Sequence, residues 1–94
     1  DSNIIENKEI LVRNVILIKL FKKLVSNSKE WTNESINEII SKIKEKTGNT
    51  GKELFMPIRI SGTKLSHGPE LVKVLRILGK DKVENNIDFC LSLI

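Results

Sequence analysis

The stretch from Trp31 to Gly48 constrains the fold most strongly, because it carries signals for both ends of a helix. Thr32 is a favoured N-cap residue, and Trp31 and Ile36 have the spacing of a hydrophobic staple. Gly48 supplies the left-handed stop. The residues between them mark one helical face, formed by Ile36, Ile39, Ile40, Ile43 and Thr47. We predict a helix here. The staple explains Trp31 better than the alternative, a platform for stacking a nucleic-acid base.

A second helical pattern precedes it, from about Ile4 to Val25. Its apolar stripe consists of Leu11, Val15, Ile18, Phe21 (or Lys22) and Val25. The stripe is wider than a small bundle needs, so one hypothesis is that part of it packs against a preceding domain. A broad core helix explains the stripe equally well.

Two further helices are predicted near the end of the chain. In the first, Gly68 serves as N-cap and Pro69 as the first helical residue, and Gly79 ends the helix. In the second, Asp81 serves as N-cap, and Glu84 completes a pattern that resembles a capping box.

Between Gly48 and Gly68 the helical period breaks, and glycine and proline concentrate. We predict irregular backbone there, with a short helical turn near Leu54 to Ile60. No segment alternates with the period of a strand for long. The expected fold is therefore all-α: one small bundle of about four to five helices with one long irregular insertion.

Length and charge narrow the possible functions. A chain of 94 residues forms one domain at most and has no room for a nucleotide-binding α/β domain beside anything else. A net charge of +4 favours an anionic partner such as RNA. The single cysteine, Cys90, excludes a disulfide framework, and we expect a buried, inert thiol. The apolar run from Ile10 to Val25 is too short and too charged for a membrane helix, so no membrane partner is expected.

The segment "TKLSHGPEL", Thr63 to Leu71, could be either a catalytic loop or the start of a helix. Its Lys64-Leu65-Ser66 is similar to the mobile Lys-Leu/Met-Ser-Lys loop of class I aminoacyl-tRNA synthetases. That loop needs a second lysine, where this chain has His67, and no other element of a catalytic site is present. We interpret the likeness as chance. His67 is expected to face solvent, with contact to RNA as the alternative.

Arg59 is the most informative polar residue. The chain has three arginines against thirteen lysines, so an arginine among apolar neighbours suggests a need for the rigid guanidinium fork. That fork can hold a base edge or a phosphate with two hydrogen bonds. An ion pair with Glu53 or Glu70 is an equally good explanation.

The helix start at Gly68-Pro69 adds unpaired N–H groups nearby. Possible phosphate contacts come from Lys52, Lys64, Lys73 and Arg76.

The stretch "TGNTGKELFMPIRISGTKLSHGPELVKVLRILGKDKV", Thr47 to Val83, resembles the C-terminal anticodon-binding region of bacterial glutamyl-tRNA synthetases. The typical family pattern runs T-G-x-x-G-K-x-L-F-x-P-L-R-x-A-L-T-G, then G-P-E-L, then L-L-G-K. The resemblance implies that residues 1–94 form a C-terminal helical subdomain of a larger synthetase, without its catalytic domain. One departure is Ser61-Gly62-Thr63-Lys64, where the family has Ala-Leu-Thr-Gly.

The resemblance also implies roles for individual residues. Arg59 and Leu71 fall on positions that contact the first anticodon base, and Gly68 and Pro69 on positions that touch the middle base. Val72 and Met56 fall on neighbouring contact positions. The residue that reads the third base lies upstream in the family.

For the parent enzyme, the resemblance implies a cytoplasmic ligase that charges glutamate-specific tRNA using ATP and Mg²⁺, with no cofactor or metal in this fragment. We expect a monomer whose upstream domains pack on the first helix. Two other hypotheses stay open: a helical protein-interaction module that uses the apolar face of the first helix, and a basic RNA-binding domain without sequence preference.

Overall fold

The computed structural model describes residues 6–94, and in that range every regular element is a helix. The helices are α1 (Lys8–Arg13), α2 (Val15–Asn27), α3 (Asn33–Thr47), α4 (Lys52–Thr63), α5 (Leu71–Leu78) and α6 (Lys80–Ser92). Helix α4 is central and packs against α1, α2, α5 and α6, while α3 packs against α2 and α5. The prediction of a small all-α bundle is confirmed.

One apolar core joins all of these helices. Its fully buried side chains include Leu11, Ile18, Phe21, Val25, Ile36, Ile43, Leu54, Ile58, Ile60, Leu75, Val83, Ile87 and Cys90. Each helix contributes at least one of them, so none packs as an appendage.

Helix α3 has the predicted boundaries. The Thr32 hydroxyl accepts a hydrogen bond from the Ser35 N–H at 3.1 Å, and the Ser35 hydroxyl accepts one from the Thr32 N–H at 2.8 Å. Gly48 ends the helix in the left-handed conformation with φ 76°. Trp31 is half-buried, and its indole N–H donates to the Leu75 carbonyl at 2.9 Å. The tryptophan therefore ties the start of α3 to α5.

The predicted first helix is interrupted, and its residues Ile4 and Ile5 lie outside the described part of the chain. Asn14 separates α1 from α2, because its side-chain Nδ2 donates to the Ile10 carbonyl at 2.8 Å while its backbone N–H turns to Leu11. The predicted stripe residues Leu11, Ile18, Phe21 and Val25 are buried on both sides of this break, while Val15 is half-buried and Leu17 is buried as well. The prediction of one continuous helix was wrong, because the helix breaks at Asn14.

The predicted irregular insertion was also wrong over most of its length. Lys52–Thr63 form a regular helix, and irregular backbone is confined to the short connections on either side. Pro57 lies inside the helix and cannot donate the hydrogen bond that the Glu53 carbonyl would accept. The Asn49 side chain donates to that carbonyl instead, at 3.1 Å. The helix can therefore continue through a residue that usually ends one.

Helices α5 and α6 begin elsewhere than predicted. Helix α5 starts at Leu71 with Glu70 as N-cap, because the Pro69 carbonyl accepts a hydrogen bond from Arg59 rather than starting the helical ladder. Helix α6 starts at Lys80 with Gly79 as N-cap, and Asp81 lies within its first turn.

The predicted capping box of α6 does not form. The Glu84 carboxylate is directed towards α2, where the Ser26 hydroxyl donates to it at 3.1 Å. The Lys22 ammonium lies 4.0 Å away from the same carboxylate and also pairs with Asp88. Glu84 therefore joins α6 to α2 rather than closing the first turn of its own helix.

The last turn of α4 packs closely against the core. A Cβ atom added at Gly62 would lie 2.8 Å from Leu75 Cδ2 and 3.3 Å from Phe21 Cε2. The Gly62 carbonyl accepts a hydrogen bond from Asn86 Nδ2 at 2.7 Å, and Asn86 is itself buried. The helix then ends at Lys64, the one non-glycine residue of the described chain with positive φ, at 65°. Contacts with α2, α5 and α6 thus hold the end of α4 in place.

Gly62→Ala tests this close contact. Alanine favours a helix by about 1 kcal/mol over glycine, but here its methyl group must displace two buried side chains, so we expect a net destabilisation of about 1–2 kcal/mol. Chemical denaturation of the two chains measures the difference. Ser41→Ala, at an exposed position of α3, is the control and should change the stability little. A Gly62→Ala chain more stable than the original would contradict the packing described.

Candidate nucleic-acid interface

Arg59 lies on α4 with its guanidinium directed towards the connection between α4 and α5. Its Nη2 donates to the Pro69 carbonyl at 2.9 Å, and its Nη1 lies 3.5 Å from the position of a Cβ atom on Gly68. Among residues 6–94, ion pairs involve only Lys22, so the alternative pairing of Arg59 with Glu53 or Glu70 is not formed. One of about five guanidinium N–H groups is used by Pro69, and the fork remains available to a ligand.

Gly68 and Pro69 form the exposed surface beside Arg59. The φ angle of Gly68 is 155°, which side chains of L-residues rarely tolerate, and the absence of a Cβ leaves the backbone open to close approach. The first backbone N–H groups of α5 follow directly, and they have no acceptor within their own helix. The arrangement brings together a guanidinium, a bare backbone and the positive end of a helix dipole.

The other predicted contact residues are more buried. Leu71 is 6% exposed, so its side chain belongs to the core. Val72 and Met56 are half-buried and pack against the same core. Met56 precedes Arg59 by three residues on α4, which puts both on the same side of the helix.

The basic residues proposed for phosphate contacts differ in their exposure to solvent. Lys52, Lys73 and Arg76 are exposed. Lys64 is half-buried, and its Nζ lies 4.3 Å from the ring centroid of Phe89, a cation–π contact. Phe89 was not singled out in the sequence, because the helical period alone places it on the outer side of α6. The sequence carried no signal for this pair, which depends on how α4 and α6 pack.

Within residues 6–94, no group of three or more histidine, cysteine or acidic side chains could hold a metal ion. His67 is exposed, and its Nδ1 lies 3.1 Å from the Ser66 hydroxyl. In the same range, no helix has the combination of length and apolar character needed to cross a bilayer.

Cys90 is buried, as expected, and its Sγ lies 3.8 Å from the Ile60 carbonyl oxygen at the end of α4. Burial raises the pKa of the Cys90 thiol from 9.0 to about 11, although the nearby Lys64 ammonium opposes the shift. Because the thiolate is the reactive form, this cysteine is protected both by its low accessibility and by its protonation.

A family model described as "Anticodon binding domain" matches residues 5–91. The match covers most of the sequence, and the chain therefore belongs to the anticodon-binding-domain family.

Individual relatives specify the likeness further. The chain is 51% identical over 70 residues to a glutamate–tRNA ligase of Malacoplasma penetrans, a match that covers 74% of this chain and 14% of the relative. It is 43% identical over 86 residues to that of Mesoplasma florum, covering 92% of this chain and 18% of the relative. With the ligase of Ureaplasma urealyticum, 36% identity extends over all 94 residues and 19% of the relative. The predicted resemblance is confirmed.

The chain spans less than a fifth of the length of these curated relatives. No solved structure matches it.

The setting of Cys90 leads to a prediction about pH. The unfolded thiol has the lower pKa, so stability contributed by the protonated thiol is complete below pH 9 and is lost as the pH rises towards 11. The difference in unfolding free energy between the original chain and Cys90→Ala should therefore shrink over that range. Taking this difference removes the contribution of the lysines to the pH dependence of stability, because they titrate in both chains. A difference that stays constant between pH 8 and pH 11 would show that the thiol is not shifted.

Proposed function

We propose that this chain binds the anticodon loop of a tRNA as one domain of a glutamate–tRNA ligase. The observation that carries the proposal is the hydrogen bond from Arg59 to the Pro69 carbonyl, which holds a cation beside a bare backbone and an open helix start. Membership of the anticodon-binding family and similarity to glutamate–tRNA ligases support the same assignment. In this proposal the domain contributes tRNA affinity and specificity, while chemistry takes place elsewhere in the ligase.

Arg59 is proposed to read the first anticodon base. Its bond to Pro69 restricts the guanidinium to one direction before RNA arrives, so less side-chain entropy is lost on binding. The remaining N–H groups can donate two parallel hydrogen bonds to a base edge. Lysine would retain the charge but not this geometry.

The backbone from Gly68 to Val72 is proposed to contact the middle base and its neighbours. An unpaired base can approach Gly68 closely because no side chain covers it. The N–H groups of Leu71 and Val72 then offer donors at the start of α5. Because the Leu71 side chain is buried, its contact with RNA would be made by the backbone. Met56 can add only apolar contact, since its thioether is a weak acceptor.

The exposed cations Lys52, Lys73 and Arg76 are proposed to bind phosphates, and Lys64 to do so from its position over Phe89. Such contacts fix the register of the RNA but do not read its sequence. The glutamate-specific tRNA would be selected by the base contacts together with contacts made outside this chain.

The parent ligase is proposed to use ATP and Mg²⁺ in the cytoplasm. The side chains of residues 6–94 do not fit a Mg²⁺ site, since no cluster of acidic residues is present in that range.

A second candidate surface lies on the first two helices, where Val12 is 52% exposed and Ile16 is 82% exposed. Together with Val15, Leu17 and Thr47 they line an open groove of about 520 Å³. Apolar side chains this exposed favour contact with protein. We propose that the preceding domain of the ligase packs here.

Arg59→Ala tests the base-reading role. Loss of a bidentate contact should reduce the preference between anticodon stem-loops that differ at the first anticodon base by about 1–3 kcal/mol. Titration of the chain with a series of stem-loops, all at one salt concentration, measures this preference. Arg59→Lys should recover overall affinity but not the preference.

Two substitutions elsewhere serve as controls for that series. Arg76→Ala should weaken binding of every stem-loop alike and reduce the slope of log K against log salt by about 1, as expected for a phosphate contact. Lys44→Ala, on the exposed face of α3, should change neither. If the unaltered chain bound all stem-loops equally, anticodon reading would be rejected in favour of RNA binding without sequence preference.

Ile16→Glu tests the proposed domain contact. In the isolated chain, stability should change by less than about 0.5 kcal/mol, because the side chain is already exposed. In the complete ligase, the same substitution should increase protease cleavage between this domain and its neighbour. Glu38→Ala, which alters a residue on the exposed side of α3, is the control. Equal cleavage of the Ile16→Glu and control ligases would exclude the contact.

A further inference from the structure

We infer that Asn49 is a positioning residue for the RNA-binding surface, because it keeps helix α4 continuous across Pro57. The inference rests on the proposed function, since it concerns how the residues assigned to RNA are held in one surface. Asn49 lies before the helix, and neither the family pattern nor the sequence-based predictions single it out.

The need for such a residue follows from the position of Pro57. In an uninterrupted helix the N–H of residue 57 would donate to the carbonyl of Glu53, and proline has no N–H. Proline also crowds that carbonyl, so interior prolines usually kink or end a helix. The Asn49 amide donates to the Glu53 oxygen at 3.1 Å. A side chain outside the helix thus replaces the missing donor.

Asn49 is itself held from two sides. Its backbone N–H donates to the Thr47 hydroxyl at 3.2 Å, and that hydroxyl donates to the Ile43 carbonyl at 2.7 Å in α3. Its Nδ2 also lies 3.4 Å from Asn14 Oδ1, at the break between α1 and α2. The start of α4 is therefore tied to the end of α3 and to the break in the first helix, rather than free to rotate.

The proposed RNA contacts lie on both sides of the proline. Lys52 and Met56 precede Pro57, and Arg59 follows it. Their spacing of four and three residues puts all three on one side of a straight helix. The later half of α4 is fixed independently, by the Asn86 bond to Gly62 and the Arg59 bond to Pro69. A change of angle at Pro57 would therefore move Lys52 and Met56 relative to Arg59.

A double-mutant cycle between positions 49 and 57 tests the inference. Asn49→Ala removes the donor, and Asn49→Asp removes it while retaining the shape of the side chain. Pro57→Ala restores a backbone N–H for the Glu53 carbonyl, so Asn49 should matter less in that background. Asn85→Ala, at an exposed position of α6, is the matched control. Each chain is measured for melting temperature and for its preference between stem-loops that differ at the first anticodon base.

We expect Asn49→Ala and Asn49→Asp to lower the melting temperature by about 5 °C when Pro57 is present. They should also reduce the first-base preference by a factor of about 2–10, the equivalent of one hydrogen bond. In the Pro57→Ala background both effects should fall to less than half. Asn85→Ala should show neither effect.

The outcomes separate the two proposals. Equal effects of Asn49→Ala with and without Pro57 would overturn the inference, as would unchanged stability and preference. A coupled loss of stability without a loss of preference would show that Asn49 supports the fold but positions no RNA contact, which also overturns it. If the unaltered chain showed no first-base preference, the proposed function would fail first, and the stability cycle would still decide whether Asn49 replaces the donor missing at Pro57.

Discussion

The close approach of helix α4 to Phe21 and Leu75 is the contact on which the rest of the structure depends. Only glycine at position 62 allows it, because a Cβ atom would come within 2.8 Å of Leu75. Residues three apart on a helix lie about 60° from each other around its axis. When Gly62 faces the core, Arg59 is therefore turned to the side, towards the backbone of Pro69. The packing of the core thus decides where the guanidinium can act.

The proposed function assigns affinity and specificity to different parts of the surface. Exposed lysines on a flexible stem suit phosphates, whose positions vary little between tRNAs. The guanidinium already has one hydrogen bond within the protein, so in the proposed function its direction is fixed before binding and only a correctly placed base edge would satisfy it. Few aromatic residues are available for stacking, so the proposed recognition of RNA would depend on edge contacts.

Much of this could be predicted from the sequence where the signals are local. The ends of α3 followed from Thr32 and Gly48, since capping chemistry involves only neighbouring residues. Helix α4 was predicted only as a short turn near Leu54 to Ile60, because Pro57 and Gly62 weaken a helix taken alone. The residues that compensate, Asn49 and Asn86, come from outside it. The juxtaposition of Arg59 and Pro69 was predicted through a helix start at the wrong residue. The bonds of Asn86 to Gly62 and of Arg59 to Pro69 join residues ten or more apart in the sequence, so no local pattern reveals them.

The departure at residues 61–64 has a physical explanation in the same terms. Where the family pattern has Leu and then, two residues later, Gly, this chain has Gly62 and Lys64. Lys64 ends α4 in the left-handed conformation that glycine adopts without strain, which costs about 1–2 kcal/mol for other residues. Its contact with the Phe89 ring recovers about 0.5–1 kcal/mol of that cost. The side chains of Phe21 and Leu75 occupy the space beside Gly62 that a larger residue would fill. Both substitutions therefore keep the helix end in place, while the second adds a cation next to the surface proposed to bind RNA.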